Sequence, residues 1–177
     1  MIRNSRIIFV LLIVLNSTLV AALPDDRELP ILLEADSVEL DELTGISVYK
    51  GNVSYIQGSL KLTADVVKVH KKDGQLYKLI ANGSPASYSQ LQEKDGIQKE
   101  LRASAEKMEF LLEPERLILE GNAHVWRDQD EFTGNYIEYD SVQDVVNARK
   151  SSTGKERVQV VIQPRKKSEM NESGNTE

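Results

Sequence analysis

The sequence contains no cysteine. That excludes disulfides, and it excludes a lipid anchor built on an N-terminal cysteine. Stability must come from packing and backbone pairing alone. Histidine is nearly as scarce, with only His70 and His124. Neither has a second His or a carboxylate at metal-ligand spacing, and a zinc site needs several such ligands. Phosphate-cradling loops, nucleotide-binding glycine patterns and nucleophile elbows are all missing. Asp128, Asp130 and Glu131 make a carboxylate cluster, but a calcium loop starting there would need Glu where Tyr139 stands. The cluster reads as a solvated turn. No carboxylate pair stands out for acid–base work among the 28 acids, so the residues point away from an enzyme. Aromatic residues are only 6% of the chain, which counts against a sugar-stacking platform. The formal charge is −6. An acidic chain repels phosphate at long range, so no nucleic acid is expected as a partner.

One long apolar run is present, Ile7 to Leu15, preceded by Arg3 and Arg6 and followed by Val20-Ala21-Ala22. This is the layout of an export signal, residues 1–22, cleaved after Ala22 or, almost as well, after Ala21. As a helix the run rises about 14 Å, where a bilayer core needs about 30 Å, so an uncleaved anchor is the weaker reading. Losing Arg3 and Arg6 takes the mature chain to −8. Residues 23–30 are polar with two prolines and read as a flexible lead. Residues 163–177 are charged and polar and read as a disordered tail. The folded domain is expected over 31–162.

Within that span, short alternating apolar runs recur, each closed by turn residues. Examples are Ser37 to Asp41 before Thr44-Gly45, Ile46 to Tyr49 before Gly51-Asn52, and Leu60 to Val69 before Lys71-Lys72-Asp73-Gly74. After Pro114 come Leu117 to Leu119, Ala123 to Trp126, Tyr136 to Tyr139, Val145 to Ala148 and Val158 to Ile162. Such spacing predicts an all-β sandwich, barrel or jelly roll. Lys99 to Glu113 resists: Leu101, Ala105, Met108 and Leu112 recur at helical spacing, and local propensity favours a helix. An internal repeat decides for a strand. A shift of 70 residues sets Ala35, Glu39, Gly51, Asn52 and Thr63 on Ala105, Glu109, Gly121, Asn122 and Thr133 without a gap. It also sets Val38 and Leu40 on Met108 and Phe110, so the apolar parity matches. Gly51 and Gly121 each precede Asn, where a positive φ or a bulge is expected. Trp126 and Val125 must point to opposite faces, so one of them faces outward.

The chain resembles the OstA-like family. The resemblance is carried by Pro30-Ile31, Glu34-Ala35-Asp36, Gly51-Asn52-Val53, Gly58, Leu62-Thr63-Ala64-Asp65, Gly83-Ser84-Pro85-Ala86 and Gly121-Asn122-Ala123. It spans residues 30 to 162, and departs from the family's Ala-Asp at Gly134-Asn135. It implies a twisted antiparallel β-jelly-roll, open at both ends, in the periplasm of a Gram-negative bacterium. It implies a carrier of lipopolysaccharide, with lipid A acyl chains in an apolar groove, and no cofactor. The implied partners are an anchored, LptC-like subunit of the inner-membrane transporter, an LptD-like outer-membrane translocon, and further copies joined head to tail. The rivals are a membrane-anchored adaptor of the same family and a secreted saccharide-binding jelly roll.

Given that fold, period-two alternation sets Ile31, Leu33, Val38, Leu40, Met108, Phe110 and Leu112 inward, against the acyl chains, with Glu39 and Glu109 outward. Tyr88 is a further candidate. The first strand, with Ile31, Leu32 and Leu33, and the last, with Val158, Val160 and Ile162, are the expected assembly edges.

Overall fold

The computed structural model describes residues 26–94, 97–150 and 157–163. The expected export signal, and the tail beyond Gln163, lie outside the described residues. The described residues form one antiparallel sheet of ten strands. They are β1 (Ile31–Glu34), β2 (Ser37–Asp41), β3 (Ile46–Gln57), β4 (Leu60–Lys72) and β5 (Gln75–Lys94), then β6 (Ile97–Leu112), β7 (Glu115–Arg127), β8 (Asp130–Asp140), β9 (Val145–Arg149) and β10 (Gln159–Val161). Strands β3 to β8 form an up-and-down meander. β1 and β2 both pair with β3 at one edge, and β9 and β10 both pair with β8 at the other. The sheet does not close into a barrel. Among the described residues no helix is long and apolar enough to cross a membrane.

The strands are longer than the apolar runs of the sequence because bulges interrupt the alternation without ending the pairing. Register shifts fall between Lys50 and Val53, Thr63 and Val66, Asn82 and Ala86, Ser104 and Lys107, and Glu120 and Ala123. These positions are neighbours across the sheet, so the bulges form a continuous row. Bulges bend strands, and a row of them folds the sheet into two arms. One arm carries β1, the far half of β3, and β10. The other carries β2, the near half of β3, and β9.

The fold of the sheet onto itself is visible in single contacts. Tyr88 pairs in register with Ala103 on β6, yet its ring lies 5.9 Å from Phe110 on that same strand. Along a straight strand Ala103 and Phe110 would be about 23 Å apart. Only a bent strand brings the rings together. Among the described residues no second layer covers the sheet, so its inner face is buried by its own other half. Val53, Leu62, Val67, Leu79, Leu119 and Ile137 are all buried there, as parts of one core.

Lys99 to Leu112 is strand, as the repeat requires. Helix-forming residues there are overridden by two long ladders, to β5 and to β7.

Candidate functional site

The inner face is the candidate site, and directly opposed residues in an antiparallel ladder share a face. Tyr55 and Ser47 are buried on the inner face of β3. Leu33 pairs with Tyr55, Ile31 with Gln57, Val38 with Tyr49 and Leu40 with Ser47. All four residues expected inward on the first two strands therefore lie on the inner side. They differ in cover: Leu33 packs against the core, while Ile31, Val38 and Leu40 are 45%, 53% and 63% exposed. They sit at an open edge, where no further strand of the described residues covers them.

Met108, Phe110 and Tyr88 are buried in the middle of the fold. They belong to a packed core, so the groove is closed between the arms along its centre. Leu112 is half-buried and reaches the seam where the tips of the arms meet. At the other edge Val160 pairs with Phe132, which packs against the core, and Val146 pairs with Tyr139. The apolar inner face thus runs without interruption from the β1/β2 edge to the β9/β10 edge. Leu32 and Val161 lie exposed on these same edges, as does Ile162 just beyond β10, while Val158 is half-buried.

Two clefts open at the seam. One, of about 880 Å³, lies between Ser59, Gln90 and Leu91 of one arm and Leu112, Pro114 and Val142 of the other. The second, of about 500 Å³, lies beside Ile31, Gln57, Leu76 and Leu112. Between them runs the part of the 23–30 lead that the structure describes. Asp26–Glu28 forms a 3-10 turn there. Asp26 accepts the Ser59 N–H at 2.7 Å, and Arg27 lies 3.8 Å from Glu115 of the other arm. Sequence reasoning missed this turn, because a short polar segment between prolines carries no periodic signal.

Tyrosine hydroxyls line the seam from inside. Tyr55 donates to Gln57 at 2.7 Å, Tyr88 to Gln90 at 2.7 Å and Tyr139 to Gln92 at 3.0 Å. Burial pushes the Tyr55 and Tyr139 hydroxyls up to about 12, with Asp144 adding to the rise at Tyr139. Burial, with Glu115 next, pushes Tyr88 well above the usual phenol range. All three remain protonated donors at neutral pH.

The outer face is polar and ionic. Lys78 pairs with Glu109 at 3.7 Å, Lys107 with Glu120 at 2.9 Å and Arg116 with Glu138 at 3.3 Å. His124 stacks on Trp126 there, with Arg102 5.6 Å from the indole centre. Val125, its neighbour, is fully buried, so Trp126 is the outward member of that pair. His70 also lies on this face, between Ile46 and Lys78. Among the described residues no cluster of His, Asp or Glu is placed to hold a metal ion.

Comparison with known proteins places this geometry. The family described as LptA/(LptD N-terminal domain) LPS transport protein matches residues 32–145. The lipopolysaccharide export system protein LptH of Pseudomonas aeruginosa is 35% identical over 170 residues, 92% of this chain and 95% of that protein. The lipopolysaccharide export system protein LptA of Escherichia coli K12 is 30% identical over 172 residues, 93% of this chain and 90% of that protein. The crystal structure of LptH, described as the LptA-homologous periplasmic component of the lipopolysaccharide transport device, superposes with a TM-score of 0.71. That match has 32% identity and covers 80% of this chain and all of that one.

Proposed function

The chain belongs to the LptA/LptD N-terminal family of lipopolysaccharide transport proteins, and on that premise we propose that it carries lipopolysaccharide across the periplasm as one unit of a bridge. The observation that carries this reading is the apolar inner face, continuous to both open edges. Moving one acyl chain of about a dozen carbons into water costs on the order of 10 kcal/mol, at about 0.8 kcal/mol per methylene. A lipid with several chains needs an unbroken apolar path. Ile31, Leu33, Val38 and Leu40 offer that path at one edge. Tyr88, Met108, Phe110 and Leu112 continue it between the arms, which part to admit the chains.

The edges fit assembly. β1 and β10 run in opposite directions, and so do β2 and β9. Setting the β9/β10 edge of one copy beside the β1/β2 edge of the next gives antiparallel pairs on both arms at once. The contact is heterologous and leaves a free edge at each end, so copies add head to tail. An LptC-like subunit caps one end and an LptD-like translocon the other. Residues 1–22 direct export and are cleaved. The chain holds no nucleotide-binding motif, so directional work comes from a partner ATPase.

Mass spectrometry of the native protein purified from its own periplasm tests this reading. The expected result is a mature N-terminus at Leu23 with lipid A co-purifying. An intact N-terminus indicates the anchored adaptor instead, and a cleaved protein that never retains lipid A contradicts the carrier.

A further inference from the structure

The seam holds a row of glutamines whose orientation is fixed. Each has its side-chain oxygen next to a tyrosine hydroxyl, in the pairs Tyr55–Gln57, Tyr88–Gln90 and Tyr139–Gln92, where the Tyr139 hydroxyl has Asp144 as a second, longer acceptor at 3.4 Å. A side-chain amide has one acceptor end and one donor end. With the acceptor end taken from inside, the NH2 end faces the seam. Gln57 shows what it takes there: its NH2 donates to the backbone carbonyls of Arg27 and Leu29, both at 3.1 Å. Gln90 donates to the Asp26 carboxylate at 3.4 Å. Gln57 is only 7% exposed, so its donors could not be left without acceptors cheaply. The turn from Asp26 to Leu29 therefore presents acceptor oxygens, two of them amide carbonyls, to a collar of fixed donors.

The collar sits where an apolar groove meets water. In a lipid with ester- and amide-linked chains, the linkage carbonyls lie at that same boundary, between hydrocarbon and sugar. They are the chemical equivalents of the two peptide carbonyls now bound by Gln57. The charge of the rim agrees. Among the described residues, Asp26, Glu93, Glu113 and Glu115 outnumber the one cation, Arg27, along the larger cleft, so the rim is net acidic and favours neutral acceptors over a further anion.

We propose that Gln57, Gln90 and Gln92 form a site that binds the ester and amide carbonyls of an acylated glycolipid, and that Asp26 to Leu29 is its intramolecular occupant, displaced when lipid enters. The inference rests on the carrier reading and names the polar half of the same groove. Displacement costs the turn its contacts to Ser59, Gln57 and Gln90, so the turn competes with lipid and lowers its apparent affinity.

The test is binding of hexa-acyl lipid A to the full mature chain, beside binding of diphenylhexatriene, a pure hydrocarbon with no carbonyl. Asp26→Ala weakens the occupant and leaves the collar intact; lipid A then binds at least threefold tighter. Gln90→Leu and Gln57→Leu remove donors; lipid A then binds at least fivefold weaker, while diphenylhexatriene binds within twofold of the parent. Asp26 and Gln90 are the two ends of one hydrogen bond. A merely structural staple would move both variants in the same direction, and that outcome overturns the proposal. Unchanged lipid A affinity in Asp26→Ala and Gln90→Leu also overturns it. Gln90→Leu decides alone if Gln57→Leu does not fold. A parent that takes up diphenylhexatriene but no lipid A overturns the carrier reading itself, an outcome separate from either result on the variants.

Discussion

Asn122 donates its side-chain amide to Glu106 at 2.6 Å. Seventy residues earlier, Asn52 donates to Asp36 at 3.0 Å. The two bonds span the same sequence separation and sit on equivalent bulges. In each copy a Gly-Asn pair takes positive φ: 81° and 46° at Gly51 and Asn52, 78° and 43° at Gly121 and Asn122. The repeat seen in the sequence is thus a repeat of the bend that folds the sheet.

A side chain at either glycine is doubly disfavoured. A Cβ on Gly51 would run into the Asp36 carboxylate, and one on Gly121 would lie 2.5 Å from that of Glu106. Gly51→Ala and Gly121→Ala should each lower stability by about 1–3 kcal/mol. Urea unfolding measures this. A change under a few tenths at both positions would show that the bends do not depend on glycine.

The edge strands predict assembly. Proline at Val160 removes a ladder donor on β10 and leaves the core of the groove untouched. Light scattering should find concentration-dependent oligomers for the parent and monomers for Val160→Pro, with lipid binding retained. A parent that stays monomeric at every concentration, and binds no partner at either edge, contradicts the bridge.

His70 predicts a pH effect. Burial lowers its pKa below 6.5, Lys78 and Lys68 add to the fall, and Glu109 opposes it. The unfolded chain therefore takes up this proton at a higher pH than the folded one. Stability should fall as pH drops through about 6.5, and this contribution levels off below the folded-state pKa. His70→Gln removes it. The urea midpoint should shift less between pH 7.5 and pH 5 in the variant than in the parent; equal shifts would contradict the assignment.

Alternation made much of this legible. The bounds of β1 and β2 follow from it, and so does the inward face of Leu33, Met108 and Phe110. The repeat, not propensity, identified β6. Other features were hidden for physical reasons. Ile46 to Tyr49 and Val53 to Ile56 look like two strands, because Gly51-Asn52 reads as a turn, whereas it is a bulge through which pairing continues and 47, 49, 53 and 55 keep one face. Alternation gives the face of Val38 and Leu40 but not their cover, since it cannot say which strand lies at an edge. The donor collar left one trace, Tyr-x-Gln at Tyr55-Ile56-Gln57 and again at Tyr88-Ser89-Gln90. Residues two apart share a face, so each tyrosine reaches its own glutamine. The third pair, Tyr139 with Gln92, joins two arms and has no local signature.

The central claim is that lipopolysaccharide travels along the inner face. Phe110 and Glu109 are neighbours on β6 with opposite orientations. Phe110 is 7% exposed and touches Tyr88 within the fold, while Glu109 lies 3.7 Å from Lys78 on the outer face. A photo-crosslinking residue placed at each position in living cells separates the two faces by one step of the chain. The account predicts a lipopolysaccharide adduct at position 110 and none at 109. Equal labelling at both positions, or none at 110 in a strain that still builds its outer membrane with this protein, would contradict it.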